Sequence, residues 1–498
     1  MKRFFPFLII ALATITLSSC KDDKKPVVET IPVTDKAIGD PSSIWYADFD
    51  KFPAHEERSQ LPIGVFDSGT GGLTVLEVIL KSDYMNNIDG ELEADGVPDF
   101  RGEDFQYLAD QANMPYGTYS SEGKADYLRE LAVKDALFLL GDKYYERSSD
   151  KYAKGQKQRC KIIVVACNTA TAYGLNDIKN LLTLSGTGVK VIGVINAGVN
   201  AAFDDIISSR KRDSLAVGVM ATIGTIDSDA YRRTIMQVKK ERAYDGFIQV
   251  INQKGAGFAE AVDLEKDFVD LSLTAPRDTY RGPKLGDGPA DIKEDLLDVY
   301  KFCYADNAIL YKKVNKKFTE FQLNSAANYA RFHLVSLFEQ LRQSQEQAPL
   351  KSIILGCTHY PFLMDTLKKT LSEIKAYRKN GKLMYAYLIA DDFTFIDPAV
   401  FTAIECCKTL REDRLMALRT RMGQVDAFIS VPSYGVPSKN LEENGGLTHA
   451  FKYGRAVGSE DVTTVVVPFS KDNLNPDNLK RIQQLVPYTY EKIKEKIK

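Results

Sequence analysis

Three features of the sequence point to an α/β fold built as two similar lobes, each a parallel sheet covered by helices, with a site in the cleft between them. From Leu61 onward, short β-branched apolar runs alternate with longer helical patterns. The runs are apolar almost throughout, as in strands buried on both faces of a sheet. Third, the chain echoes itself: "GVFDSGTGG" opens one half and "GVMATIGTIDS" the other, with "VVACNT" and "ILGCTH" following later in each.

Taken in order, the chain begins with Lys2 and Arg3, an apolar run from Phe4 to Leu17, and Leu17-Ser18-Ser19-Cys20. That run is about 14 residues, short of the roughly 20 a helix needs to span a bilayer, so residues 1–20 are expected to be a cleaved signal. Small residues directly before a cysteine resemble a bacterial lipoprotein signal, which implies that Cys20 is lipidated and that the protein is anchored to a membrane of the cell envelope. Residues 21–60, charged and punctuated by Pro26, Pro32, Pro41 and Pro53, are expected to be a solvated tether.

The strands are expected in "PIGVFDSG", "CKIIVVACN", "VKVIGVINAG", "LAVGVMATIG", "FIQVIN" and "KSIILGCTH", each ending at a small or polar residue. Residues 61–198 together with 378–498 are assigned to the first lobe, and 199–377 to the second. Charged, turn-rich stretches at 84–104, 274–295 and 376–382 are expected to be surface insertions. In parallel sheets ligands bind beyond the carboxyl ends of the strands. Cys167 and Cys357 both fall there.

Composition narrows the function. A net charge of −2 over 498 residues gives no support for a nucleic-acid partner. The six cysteines after Cys20 form no evenly spaced disulfide framework, and the adjacent Cys406 and Cys407 are expected to be small core residues. Four histidines, at 55, 333, 359 and 449, offer no zinc-ligand spacing. "DSGTGG" lacks the Lys-Ser/Thr of a phosphate-binding loop and the spacing of a dinucleotide fingerprint. No cofactor or metal is demanded.

Two thiols opposed across a cleft could take a proton from one face of a carbon and return one to the other. The same residues carry a resemblance. "IGVFDSGTGGLTVL", "YLADQANMPYGTYS", "VVACNTATA", "VIGVINAG", "ATIGTIDSDAY" and "LGCTHYPFL", in this order, resemble the motifs of the glutamate racemases in the aspartate/glutamate racemase superfamily. The resemblance covers residues 61 to 412 with insertions.

It implies a cofactor-independent isomerase interconverting L- and D-glutamate, with Cys167 the base toward the D-enantiomer and Cys357 the base toward the L-enantiomer. Asp67 resembles the carboxylate that assists the first thiol, His359 the imidazole that assists the second, and Glu260 a glutamate on the His359 side or an accessory acid. Ser68, Tyr116, Gly117, Asn168, Thr169 and Thr358 resemble the groups that hold the substrate. Hydroxyls, an amide and free backbone N–H groups at strand-to-helix turns suit an anionic ligand. A homodimer is among the expectations.

Asn196-Ala197 stand where the family commonly has Glu-Pro, Asn252-Gln253-Lys254 where Cys-Pro is frequent, and the segment from Leu415 runs past the family's usual end. These departures leave open an aspartate or other amino-acid racemase. A lipid-anchored protein that binds an amino acid or peptidoglycan fragment without turnover is the alternative of another class.

Overall fold

The computed structural model describes residues 29–209 and 213–497. The signal segment and Cys20 lie outside them.

Two sheets organise the chain. The first has six strands, in the spatial order Thr464–Pro468, Val425–Pro432, Phe105–Ala109, Ile63–Asp67, Ile162–Val165, Lys190–Gly193. All neighbours are parallel except Thr464–Pro468, which pairs antiparallel with Val425–Pro432 at the edge. The second has four strands, all parallel, in the order Ile389–Ile396, Leu350–Gly356, Leu215–Ala221, Ile248–Lys254. The central strands Ile63–Asp67, Leu215–Ala221 and Leu350–Gly356 are buried along their whole length, which is why their sequences show no alternation.

The chain returns to the first lobe later than residue 378. Ile389–Ile396 pairs with Leu350–Gly356 and so belongs to the second sheet. The crossing back is made by the helix Pro398–Glu412, which starts with Asp397 accepting the Ala399 N–H at 2.9 Å and packs on Val194–Ser209 and Leu73–Lys81. Cys406 and Cys407 are fully buried on its inner face.

Residues 29–60 differ from a solvated tether. Helix Pro32–Gly39 buries Val33 and Ala37 against Ala125–Leu140 and Asn168–Ser185. Pro32 is compatible with this because the first turn of a helix needs no N–H from it. Trp45 lies under Lys134 Nζ, 4.1 Å from the ring centroid, and donates to the Ser459 carbonyl at 3.2 Å. Apolar residues spaced between the charges dock this arm onto the first lobe.

The insertion at 84–104 is pinned at its inner end by a buried ion pair. Lys161 Nζ lies 2.6 Å from Glu103 Oε2 and donates also to the carbonyls of Ser59 and Leu415. Burial pushes the lysine pKa down and the glutamic acid pKa up. The 376–382 segment forms a two-stranded turn, Arg378–Lys379 with Lys382–Leu383. Among the described residues no helix is long and apolar enough to cross a membrane.

Candidate active site

Strand Ile63–Asp67 delivers Asp67 to its carboxyl end, where Oδ2 accepts the Gly72 N–H at 2.7 Å. A Cβ on Gly72 would stand 2.5 Å from that of Asp67, so "DSGTGG" needs glycine there for close approach. Burial raises the Asp67 pKa, opposed by hydrogen bonding with Cys167 and with the N–H groups of Gly72, Ser68 and Gly69.

Strand Ile162–Val165 leads to Cys167, the residue that caps helix Asn168–Ser185. Its sulfur accepts the Ala170 N–H at 3.4 Å and lies 3.6 Å from Ser68 Oγ. Burial first, and the Asp67 charge second, push the Cys167 thiol up to about 12. It therefore rests as a neutral acid beside a buried carboxylate.

On the second lobe, Cys357 follows strand Leu350–Gly356, with its sulfur 3.5 Å from His359 Nδ1. Thr358 Oγ1 is also 3.5 Å from Nδ1. Burial alone would lower the pKa of His359. The charge of Cys357 and hydrogen bonding to Asp263 and Cys357 overcome this and raise it to about 10.

Asn168, Cys357 and Thr358 line one cavity of about 450 Å³, together with Glu77, Asp397 and residues 484–487. The lobes are tied beside it by Tyr231, from helix Ala230–Glu241. Its hydroxyl donates to Asn168 Oδ1 at 3.0 Å. Its ring packs so close to the backbone before Cys357 that a Cβ on Gly356 would stand 2.7 Å from it. One side chain thus touches the flanks of both cysteine segments. Gly117 begins helix Gly117–Ser121 and faces Gly224 of the second lobe, whose added Cβ would lie 3.7 Å from the Gly117 Cα. Thr169 is half-buried in the first turn after Cys167.

Two anticipated residues stand elsewhere. The Tyr116 hydroxyl is buried between carboxylates, 2.5 Å from Asp110 Oδ2 and 2.7 Å from Asp135 Oδ2. One hydroxyl proton serves one carboxylate, so a second proton must be held there. Burial and the Asp110 charge raise Asp135 well above its usual range. Glu260 is half-buried in the short helix Phe258–Val262. The carboxylate against His359 is Asp263, whose Oδ1 lies 3.2 Å from Nε2.

Sequence reasoning missed Asp263, Tyr231 and Arg481, whose Nη2 is 2.9 Å from His359 Nε2 and pairs with Asp263. Asp263 had a signal, since it follows Glu260 at the i, i+3 spacing that shares a helix side. Arg481 had none. The frequent Cys-Pro position is also accounted for: Gln253 Nε2 lies 3.1 Å from Nδ1 of the buried His333, a structural pair.

The chain is 27% identical over 316 residues to a glutamate racemase of Aquifex pyrophilus, covering 63% of this chain and 77% of that protein. It is 24% identical over 373 residues to one from Clostridium novyi, covering 75% and 92%. This chain is similar in sequence to the glutamate racemases. The glutamate racemase of Staphylococcus epidermidis is more similar, 32% identical over 197 residues, but the match spans 39% of this chain and 56% of that protein. No family model matches. A solved glutamate racemase isoform from Bacillus anthracis shows 22% identity over 74% of this chain and 89% of its own, with a TM-score of 0.41.

Proposed function

We propose that this chain is a cofactor-independent racemase that interconverts L- and D-glutamate through Cys167 and Cys357. The observation that carries the reading is the pairing of each strand-end thiol with its own proton partner in opposite lobes, Cys167 with Asp67 and Cys357 with His359. The relatives' activity supports glutamate as the substrate.

Toward the D-enantiomer, Cys357 as thiolate takes the α-proton of L-glutamate, and the neutral Cys167 thiol gives its proton to the opposite face. Asp67 then holds a charge next to the new thiolate until the proton returns. In the reverse direction Asp67 draws the proton from Cys167, and the His359 imidazolium keeps Cys357 supplied. The α-proton is weakly acidic, so donors on Ser68, Asn168, Thr169 and Thr358 and the Gly117 backbone must hold the carboxylates while charge develops.

Purified chain, reduced and without added cofactor, is expected to convert either single enantiomer of glutamate to a racemate, read by chiral chromatography. Conversion of aspartate alone would replace the substrate, and conversion of neither would overturn the reading. The leader pattern supports placing this activity at the envelope through a lipid on Cys20. Fatty-acid labelling that is absent from the unaltered chain would remove the anchor.

A further inference from the structure

The C-terminal helix Pro487–Ile493 packs on Leu73–Lys81 and Val425–Pro432 of the first lobe, and its neighbour Pro476–Leu485 carries Arg481 toward the second. On the first lobe, the buried Glu77 carboxylate accepts the N–H groups of Tyr488 and Thr489, at 3.2 and 2.6 Å, and the Thr489 hydroxyl at 2.7 Å. A carboxylate from elsewhere thereby caps the last helix, where unsatisfied N–H groups and the helix dipole favour negative charge. Ile482, Val486 and Ile493 bury themselves in the first-lobe core. Between the helices, residues 484–487 form a wall of the cavity that holds Cys357 and Asn168. Toward the second lobe, Arg481 reaches Asp263 and His359.

The contacts at His359 Nε2 exclude one another. A lone pair there accepts from Arg481 at 2.9 Å, and a proton there points to Asp263 Oδ1 at 3.2 Å. In the present arrangement that Oδ1 is buried and faces Nε2. Nδ1 faces Cys357 in either case. The other charged groups nearby are Glu260 on the short helix and Glu265 beyond Asp263.

We propose that the C-terminal helix pair is a latch across the cavity and that its Arg481 is a positioning residue, opposing the proton on His359 Nε2 and competing with His359 for Asp263. The inference rests on the racemase reading, in which His359 serves Cys357. With Arg481 in place the proton affinity of His359 is held below what Cys357 and Asp263 alone would give it, which draws the ring toward neutral imidazole with Nδ1–H on the sulfur and Cys357 toward the base. A latch drawn back gives Asp263 to His359 and favours the imidazolium, the acid.

The test uses the full chain labelled with 13Cε1-histidine, whose four histidines are separated with His359→Gln as the assignment control. Arg481 is 41% exposed at its side chain, so Arg481→Ala is expected to fold, with circular dichroism as the check. Arg481→Ala should raise the His359 ionisation midpoint by about one pH unit, a tenfold change in proton affinity, and Arg481→Lys should restore it. The comparison is repeated on Asp263→Asn, which brings the midpoint down into easy range. The same midpoint with and without Arg481 in both backgrounds overturns the proposal. A shifted midpoint in a chain that racemises nothing sinks the racemase reading alone.

Discussion

The Tyr231 hydroxyl donates to Asn168 Oδ1 at 3.0 Å, joining the second lobe to the residue that follows Cys167. Because its ring also packs against Gly356, this tyrosine sets how the two cysteine segments stand relative to each other. A neutral hydrogen bond contributes about 1 kcal/mol net. Tyr231→Phe is therefore expected to lower kcat/KM about fivefold with the fold intact, measured by chiral assay and thermal melting. Unchanged kinetics would reduce the contact to lobe packing.

Opposed bases make an isotopic prediction. In heavy water, racemised product should carry solvent deuterium on the α-carbon. Cys167→Ala and Cys357→Ala should each abolish racemisation, since one thiol can remove a proton but cannot deliver one to the far face. Residual exchange should be reciprocal by NMR: the L-form in the Cys167 variant, the D-form in the Cys357 variant. Near-normal racemisation by either variant would end the two-thiol mechanism.

The buried Asp110–Tyr116–Asp135 cluster predicts a cost in stability. Tyr116→Phe removes the proton that one of the carboxylates uses and leaves a buried acceptor unsatisfied, a loss of about 1–3 kcal/mol. Denaturant titration should show it. A stable variant with impaired substrate binding would mean that the hydroxyl turns toward the cavity.

His333 predicts acid sensitivity. Burial drives its pKa down to about 4, with Nε2 on the Ala256 carbonyl and Nδ1 on Gln253. An unfolded histidine takes a proton near pH 6.5, so between pH 6.5 and 4 the unfolded chain binds more protons and stability falls with falling pH. The loss approaches about 3 kcal/mol across that window. His333→Gln should flatten this part of the stability curve in urea titrations from pH 7 to 4. An equal slope in both chains would assign it to other groups.

The six strands anticipated from apolar runs all occur, and the central ones are buried on both faces and so have to be apolar along their length. The strands Phe105–Ala109, Ile389–Ile396 and Val425–Pro432 carry no such signal: the first sits inside a polar motif, the others mix charged with apolar residues. The arm at 29–60 was misjudged for a related reason. Its prolines and charges are dense, and only the fold shows that Val33 and Ala37 have a surface to meet.

Local sequence determined the strand ends: Asp67, Cys167 and Cys357 each close a buried run, and glycine after Asp67 permits the tight turn that holds its carboxylate. The tertiary structure decided who stands beside them. Asp263 and not Glu260 faces His359, Tyr116 points into a carboxylate pair, and Arg481 comes to His359 from a helix 122 positions further along the chain. Periodicity and turn chemistry act over a few residues and leave their mark in the string. Charge pairing across a cleft depends on where two lobes and a returning chain come to rest, and no short stretch of sequence carries that.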